Sequence, residues 1–238
     1  MITPRVISLD LDDTLWPVAP VIAAAEATLL KWLRTHHPRA AHGHDVDSMR
    51  AMRADIAARF PEHSHDMTFL RRQALVEQFA AANAVAAPGV AGSGGAAPGD
   101  QQCVDAAMEI FLGERNRVQF YEDARPALVR LRSKYRLFAV SNGNADLERC
   151  GIGDLFDGHV TAAAAGAAKP NARIFAHLVR VAGVEPIEVL HVGDDPLADV
   201  VGATQAGMQA AWLNREGREW PSQFAVPLRT ISTLAEIL

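Results

Sequence analysis

Cysteine is nearly missing from this chain: its 238 residues hold only Cys103 and Cys150. The two lie far apart without metal-ligand spacing, so they supply neither a disulfide framework nor a thiolate metal centre, and each is expected to act as a small apolar residue. An excess of positive charge is missing too. Twenty-three Lys and Arg against 28 Asp and Glu give a formal net charge of −5 and a pI near 6.0, which argues against a surface built for nucleic acid or an anionic membrane. No apolar run is long enough to span a bilayer. The N-terminus runs Met1-Ile2-Thr3-Pro4-Arg5 straight into a short strand, without the charged, apolar and cleavage regions of a leader, so a cytoplasmic protein acting on a small molecule is expected. Its oligomeric state is not legible in the sequence.

What the chain does have is a 49% hydrophobic content, enough for one α/β domain and a smaller appended unit. Val6-Ile7-Ser8-Leu9 is a buried-strand pattern that stops abruptly at Asp10. Three later runs repeat it: Leu137–Val140 ends in Ser141-Asn142-Gly143-Asn144, Val189–Val192 in Gly193-Asp194-Asp195, and Ala210–Leu213 in Asn214-Arg215. Helical patterns lie between them at Ala124–Lys134, Asn171–Ala182 and Pro196–Ala206. This alternation predicts a Rossmann-like, doubly wound parallel sheet, in which ligands bind beyond the carboxyl ends of the strands.

Residues 17–120 break the alternation. Amphipathic stretches at Ala19–Arg34, Asp45–Arg59, Met67–Ala82 and Gln101–Arg117 predict an inserted helical domain, with Ile22, Ala25, Leu29, Trp32 and Leu33 as its first apolar stripe. Residues 1–16 and 121–238 then form the catalytic core and 17–120 a cap, with 84–99, rich in Ala, Gly and Pro, as a flexible loop.

Asp10 and Asp12, followed by Asp13 and Thr14, crowd carboxylates at one strand end. A divalent cation relieves their repulsion, and oxygen-only ligands favour Mg2+ over zinc. Asp194 is the matching acid on another strand, with Asp195 and Asp199 behind it as orienting groups. A carboxylate whose charge is offset can attack phosphorus, which makes Asp10 the candidate nucleophile and Asp12 the candidate acid and base. Ser141, Asn142 and Lys169 are the candidate phosphate cradle, Lys169 also serving catalysis. Taken singly, each signal reads as an ordinary turn, N-cap or solvated lysine. Their order, each at a strand end or helix start, is what sets them apart. His191, inside an apolar strand, is expected to be packed core, and Asp13 to serve the turn.

Asp10-Leu11-Asp12-Asp13-Thr14, Ser141-Asn142, Lys169 and Gly193-Asp194-Asp195 with Asp199 resemble the four motifs of the haloacid dehalogenase-like hydrolase superfamily, over nearly the whole chain. The resemblance implies a phosphoaspartyl intermediate on Asp10, Mg2+ held by Asp10, Asp194 and the backbone carbonyl of Asp12, and a type 1 helical cap that favours small phosphorylated metabolites. Dehalogenating members lack an acid at the position of Asp12. Phosphomutases share all the core motifs and stay open as an alternative, as does a non-catalytic metabolite-binding protein. Longer strings, among them Gly151-Ile152-Gly153-Asp154-Leu155-Phe156 and Glu62-His63-Ser64-His65-Asp66-Met67-Thr68, resemble the branch acting on the ribitylamino-uracil phosphate of riboflavin synthesis and on FMN. The 84–99 stretch departs from that pattern. In the cap, His63, His65, Asp66, Arg71 and Arg72 are candidate substrate contacts.

Overall fold

The computed structural model describes residues 2–86 and 98–237. They form two compact units, residues 1–18 with 118–238, and residues 19–117.

The first unit is built on six parallel strands: β1 Val6–Leu9, β2 Arg136–Ser141, β3 Gly158–Thr161, β4 Val189–Gly193, β5 Gln209–Leu213 and β6 Thr230–Ile231. Their spatial order is β3-β2-β1-β4-β5-β6. The chain winds outward in opposite directions from β1 and β4, and the crevice beyond that pair is where such sheets bind ligands. Every residue of β1, β4 and β5 is buried, as expected of strands covered on both faces. The helix Ala172–Ala182 covers one face with Ile174, Phe175 and Leu178. Asn171 caps its start, accepting from Arg173 N at 3.0 Å, and Gly183 ends it in the left-handed conformation.

Neither β3 nor β6 was expected. Only one residue of Gly158-His159-Val160-Thr161 is apolar and β6 is two residues long, so neither has the run that marks a strand. Gly158 is nevertheless demanded by packing, because a Cβ there would lie 2.8 Å from the Phe138 ring.

The second unit is helical: α1 Val18–His36, α2 Pro38–Ala41, α3 Val46–Arg59, α4 Met67–Ala86 and α5 Pro98–Arg115. Ala25, Leu29 and Leu33 of the expected stripe are buried with Leu75, Phe79, Val104 and Phe111, while Ile22 and Trp32 pack partly against them. Asp45 and Ser48 form a capping box that fixes the start of α3. The loop expected at 84–99 falls, from 87 to 97, outside the described residues. At its edges the helices reach further than expected: α4 continues through Ala86 ahead of Pro88, and α5 begins on Pro98, a position that tolerates proline. Cys103 and Cys150 are both free, the first half-buried and the second buried.

Candidate functional site

The acids that follow β1 separate into different tasks. Asp10 continues the ladder, its N–H donating to Val192 O at 2.9 Å, and its side chain is buried. Asp13 turns the chain: its φ is +60°, a conformation Asp tolerates better than most residues, and its carboxylate accepts from Val18 N at 2.9 Å. Between them, the carboxylate of Asp12 accepts from the Trp16 indole N–H at 2.8 Å, which fixes its direction.

Lys169 is the electrostatic centre. Its ammonium donates to Asp10 Oδ1 at 2.5 Å and to Asp199 Oδ1 at 2.6 Å, all three groups being buried. Asn142, just past β2, holds it there through the backbone: Asn142 Oδ1 accepts from Lys169 N at 2.7 Å, and Asn142 Nδ2 donates to Lys169 O at 3.0 Å. The neighbouring Ser141 Oγ accepts from Gly143 N at 2.9 Å. Ser141 and Asn142 thus reach the strand ends as expected, and Asn142 spends its amide on placing the lysine.

After β4 the chain enters a π-helical turn at Pro196–Val201, a rare geometry that recurs at functional sites. Asp195 caps it, accepting from Leu197 N and Ala198 N at 2.8 and 2.7 Å. Asp199 Oδ2 accepts from Asp195 N at 3.0 Å, while its Oδ1 takes Lys169 and His191 Nε2, the latter at 3.1 Å. His191 is buried as expected, but it bridges polar groups: its Nδ1 lies 2.8 Å from Ser8 Oγ. A proton on Nε2 lets the ring donate to Asp199 and accept from Ser8. Replacing His191 by Leu strands the Ser8 hydroxyl and one Asp199 lone pair in a dry interior. An expected cost of about 1–3 kcal/mol should appear in urea unfolding. Gly193 is equally constrained, since a Cβ there would sit 2.2 Å from the Asp199 carboxyl.

Asp194 is held from several sides. Thr14 Oγ1 approaches its carboxylate at 3.4 Å, Arg218 at 3.5 Å, and the Trp212 indole donates to its backbone carbonyl at 2.9 Å. Thr14 lies in the first motif, but nothing in the sequence marked Trp212 or Arg218 as neighbours.

These placements set the charges. Burial opposes the Lys169 ammonium, but the carboxylates of Asp10 and Asp199 outweigh it and hold the group above the lysine range. Burial likewise opposes the Asp199 carboxylate, yet Lys169 and His191 hold it below the usual carboxylate range. Asp10 is pushed well up by burial, only partly offset by Lys169 and reinforced by Asp199 and Asp12. Burial, with Asp199 and Asp13 close by, pushes Asp194 up to about 7 despite Arg218. The site therefore gathers more carboxyl groups than its lysine and arginine hold in the ionised form. Carboxylate oxygens of Asp10, Asp194 and Asp199 lie within 4.8 Å of one another. This all-oxygen donor set suits a hard divalent cation such as Mg2+. Asp199, already engaged by Lys169, His191 and Asp195 N, is better placed to orient the lysine than to hold metal.

Most of the cap candidates have local partners within the helical unit. His63 stacks on Phe69 with ring centroids 4.1 Å apart, Asp66 accepts from Thr68 N and Phe69 N, and Arg72 pairs with Asp105. Arg71 is buried over the Phe111 ring, and His65 is half-buried.

Over residues 4–207 the sequence matches the family described as haloacid dehalogenase-like hydrolase. It is 32% identical over 235 residues to the 5-amino-6-(5-phospho-D-ribitylamino)uracil phosphatase YigB of Escherichia coli K12, covering 97% of this chain and 93% of that protein. The phosphoserine phosphatase of Thermus thermophilus is 33% identical over 135 residues, 54% of each chain. Among solved structures, a 2-haloacid dehalogenase from Pseudomonas syringae pv. tomato DC3000 aligns with a TM-score of 0.88 at 33% identity, covering 99% of this chain and 96% of that one. The strand order, the acids at the ends of β1 and β4 and these likenesses agree: the chain belongs to the haloacid dehalogenase-like hydrolase family.

Proposed function

We propose that this protein is a Mg2+-dependent phosphatase that hydrolyses a small phosphorylated metabolite through a phosphoryl group carried on Asp10. The observation that carries the reading is the buried contact of Asp10 with Lys169 at 2.5 Å, with Asp12 two residues on and Asp194 alongside. A carboxylate kept beside a fixed cation can meet an incoming phosphate without both charges standing unopposed. Asp10 Oδ attacks phosphorus and the bond to the leaving oxygen breaks, while Asp12, aimed by Trp16, gives that oxygen its proton. Asp12 then takes a proton from water, which attacks the same phosphorus and frees Asp10 and inorganic phosphate. Lys169 stays protonated throughout and offsets charge on Asp10. The Ser141 hydroxyl, at the end of β2, donates a hydrogen bond to the phosphate in this scheme. Asp10, Asp194 and the Asp12 carbonyl would hold Mg2+, with Asp199 and Asp195 behind them, and the ion supplies further neutralisation of the phosphoryl oxygens when bound.

Residues 17–120 act in this reading as a cap over a core of 1–16 and 121–238. The full-length likeness to the ribitylamino-uracil phosphatase makes that phosphate ester, and FMN, the first substrates to test. A cytoplasmic setting suits such a substrate, and no helix among the described residues is long and apolar enough to cross a membrane. The Pseudomonas relative is called a dehalogenase, but halide leaves without a proton, and the acid at Asp12 serves only a leaving group that needs one. Phosphate release from an aryl phosphate is expected with Mg2+ and should stop when EDTA is added. Halide release from 2-chloropropionate is not expected. Turnover unaffected by EDTA, or dehalogenation in place of phosphate release, would overturn the proposal.

A further inference from the structure

Inside the helical unit, Glu26 is buried on α1 and holds Arg50 and Arg53 of α3. Arg50 donates through Nε at 2.8 Å to one carboxylate oxygen, and Arg53 takes the other. Arg71 of α4 reaches that second oxygen only at 3.8 Å. Its side chain is 9% exposed, its guanidinium lies 3.4 Å from the centre of the Phe111 ring, and its Nε and Nη1 are buried without a hydrogen-bond partner among the described residues. One carboxylate therefore serves three guanidiniums, and the most buried of the three is served least. Burial and the like charge of Arg53 push Arg71 down to about 9 despite Glu26, with Arg115 and Arg50 adding to the repulsion.

A buried charge left this short of partners is costly unless something supplies the opposite charge. Beside it lies a small cavity of about 10 Å³, lined by Met49, Met52, Arg53, Arg71, Ala74, Leu75 and Gln78. That is room for one water-sized occupant. Arg53 and Arg71 both line it, and none of its lining residues among those described is acidic. Gln78 turns its amide N–H elsewhere, to Ala40 O at 2.6 Å.

We propose that this cavity is a binding site for one monatomic halide, chloride under ordinary conditions, held between Arg53 and Arg71 as the missing counter-charge of the helical unit. The site uses none of the residues assigned to phosphate hydrolysis. A polyatomic anion does not fit it, and water would satisfy the donors without offsetting the charge.

Two measurements on the whole protein test this. Crystals grown in sodium bromide are expected to show an anomalous peak within hydrogen-bonding reach of Arg71 Nε or Nη1. Melting temperature, followed at matched ionic strength, is expected to rise saturably as sodium gluconate is exchanged for sodium chloride, by about 5–10 °C at a hundredfold excess over Kd. Arg71→Met should lose that rise. Ala74→Val, which narrows the cavity and keeps every charge, should lose it as well, so a misfolded Arg71 variant leaves the test intact. A cavity that shows only water in bromide, or equal melting in the two salts, overturns the proposal.

Discussion

Replacing Asp10 by Asn is expected to abolish phosphate release from an aryl phosphate while leaving the protein folded. The amide keeps an oxygen for Lys169 to donate to but is no nucleophile. A covalent route through residue 10 is thereby closed, and a loss of at least about 10³-fold is expected. Folding should change little, because two costs oppose each other. The variant gives up one ionic contact of Lys169 but also removes a carboxylate that burial, Asp199 and Asp12 all push toward the neutral form. Lys169 keeps Asp199 at 2.6 Å, so no charge is left alone. Near wild-type unfolding in urea together with lost turnover is the expected pair of results. Full activity would remove Asp10 from the mechanism.

Lys169→Met should behave differently, failing in stability as well as in activity. The side chains are similar in length, but Met offers no charge, and Asp10 and Asp199 would then face one another in the same buried space. Removing one partner from a buried ionic group typically costs about 3–5 kcal/mol, because the remaining charge is uncompensated. The deficit should depend on pH with a definite sign. In the variant both carboxyls have folded pKa values raised above their unfolded ones, so stability is greatest at acid pH, where they are protonated in both states. It is lost as pH rises through that range, leaving the full deficit at neutrality. Adding Asp199→Asn to Lys169→Met should recover part of the stability and none of the turnover. Urea unfolding at acid and neutral pH separates this behaviour from simple loss of packing, which would give the same deficit at both.

Much of the site was legible because its residues stand where strands end. Val6–Leu9 and Val189–Val192 are unbroken buried runs, so the acids that follow them had to emerge together at one edge of the sheet. Other features depend on register and packing. Ser8 and His191 are directly paired neighbours on β1 and β4, and their link to Asp199 becomes visible only once that pairing is known. Read along one strand, His191 is a lone polar residue among apolar ones. The double grip of Asn142 on the Lys169 backbone spans 27 residues of sequence and has no local signature. Asp195 was expected behind the metal ligands, and its carboxylate caps the π-helical turn that brings Asp199 under the lysine. In the helical unit, periodicity located the four long helices. It did not foresee α2, a single turn between His37 and His42, nor the gathering of three arginines around Glu26, which comes from three different helices.

An acyl phosphate on Asp10 is the species on which the proposed mechanism turns, and it can be trapped chemically. Borohydride reduces an aspartyl phosphate to homoserine, so acid quench during turnover, reduction and peptide mass spectrometry should find homoserine at position 10, only when substrate and Mg2+ are both present. Unmodified Asp10 under those conditions, or homoserine at another position, would contradict it.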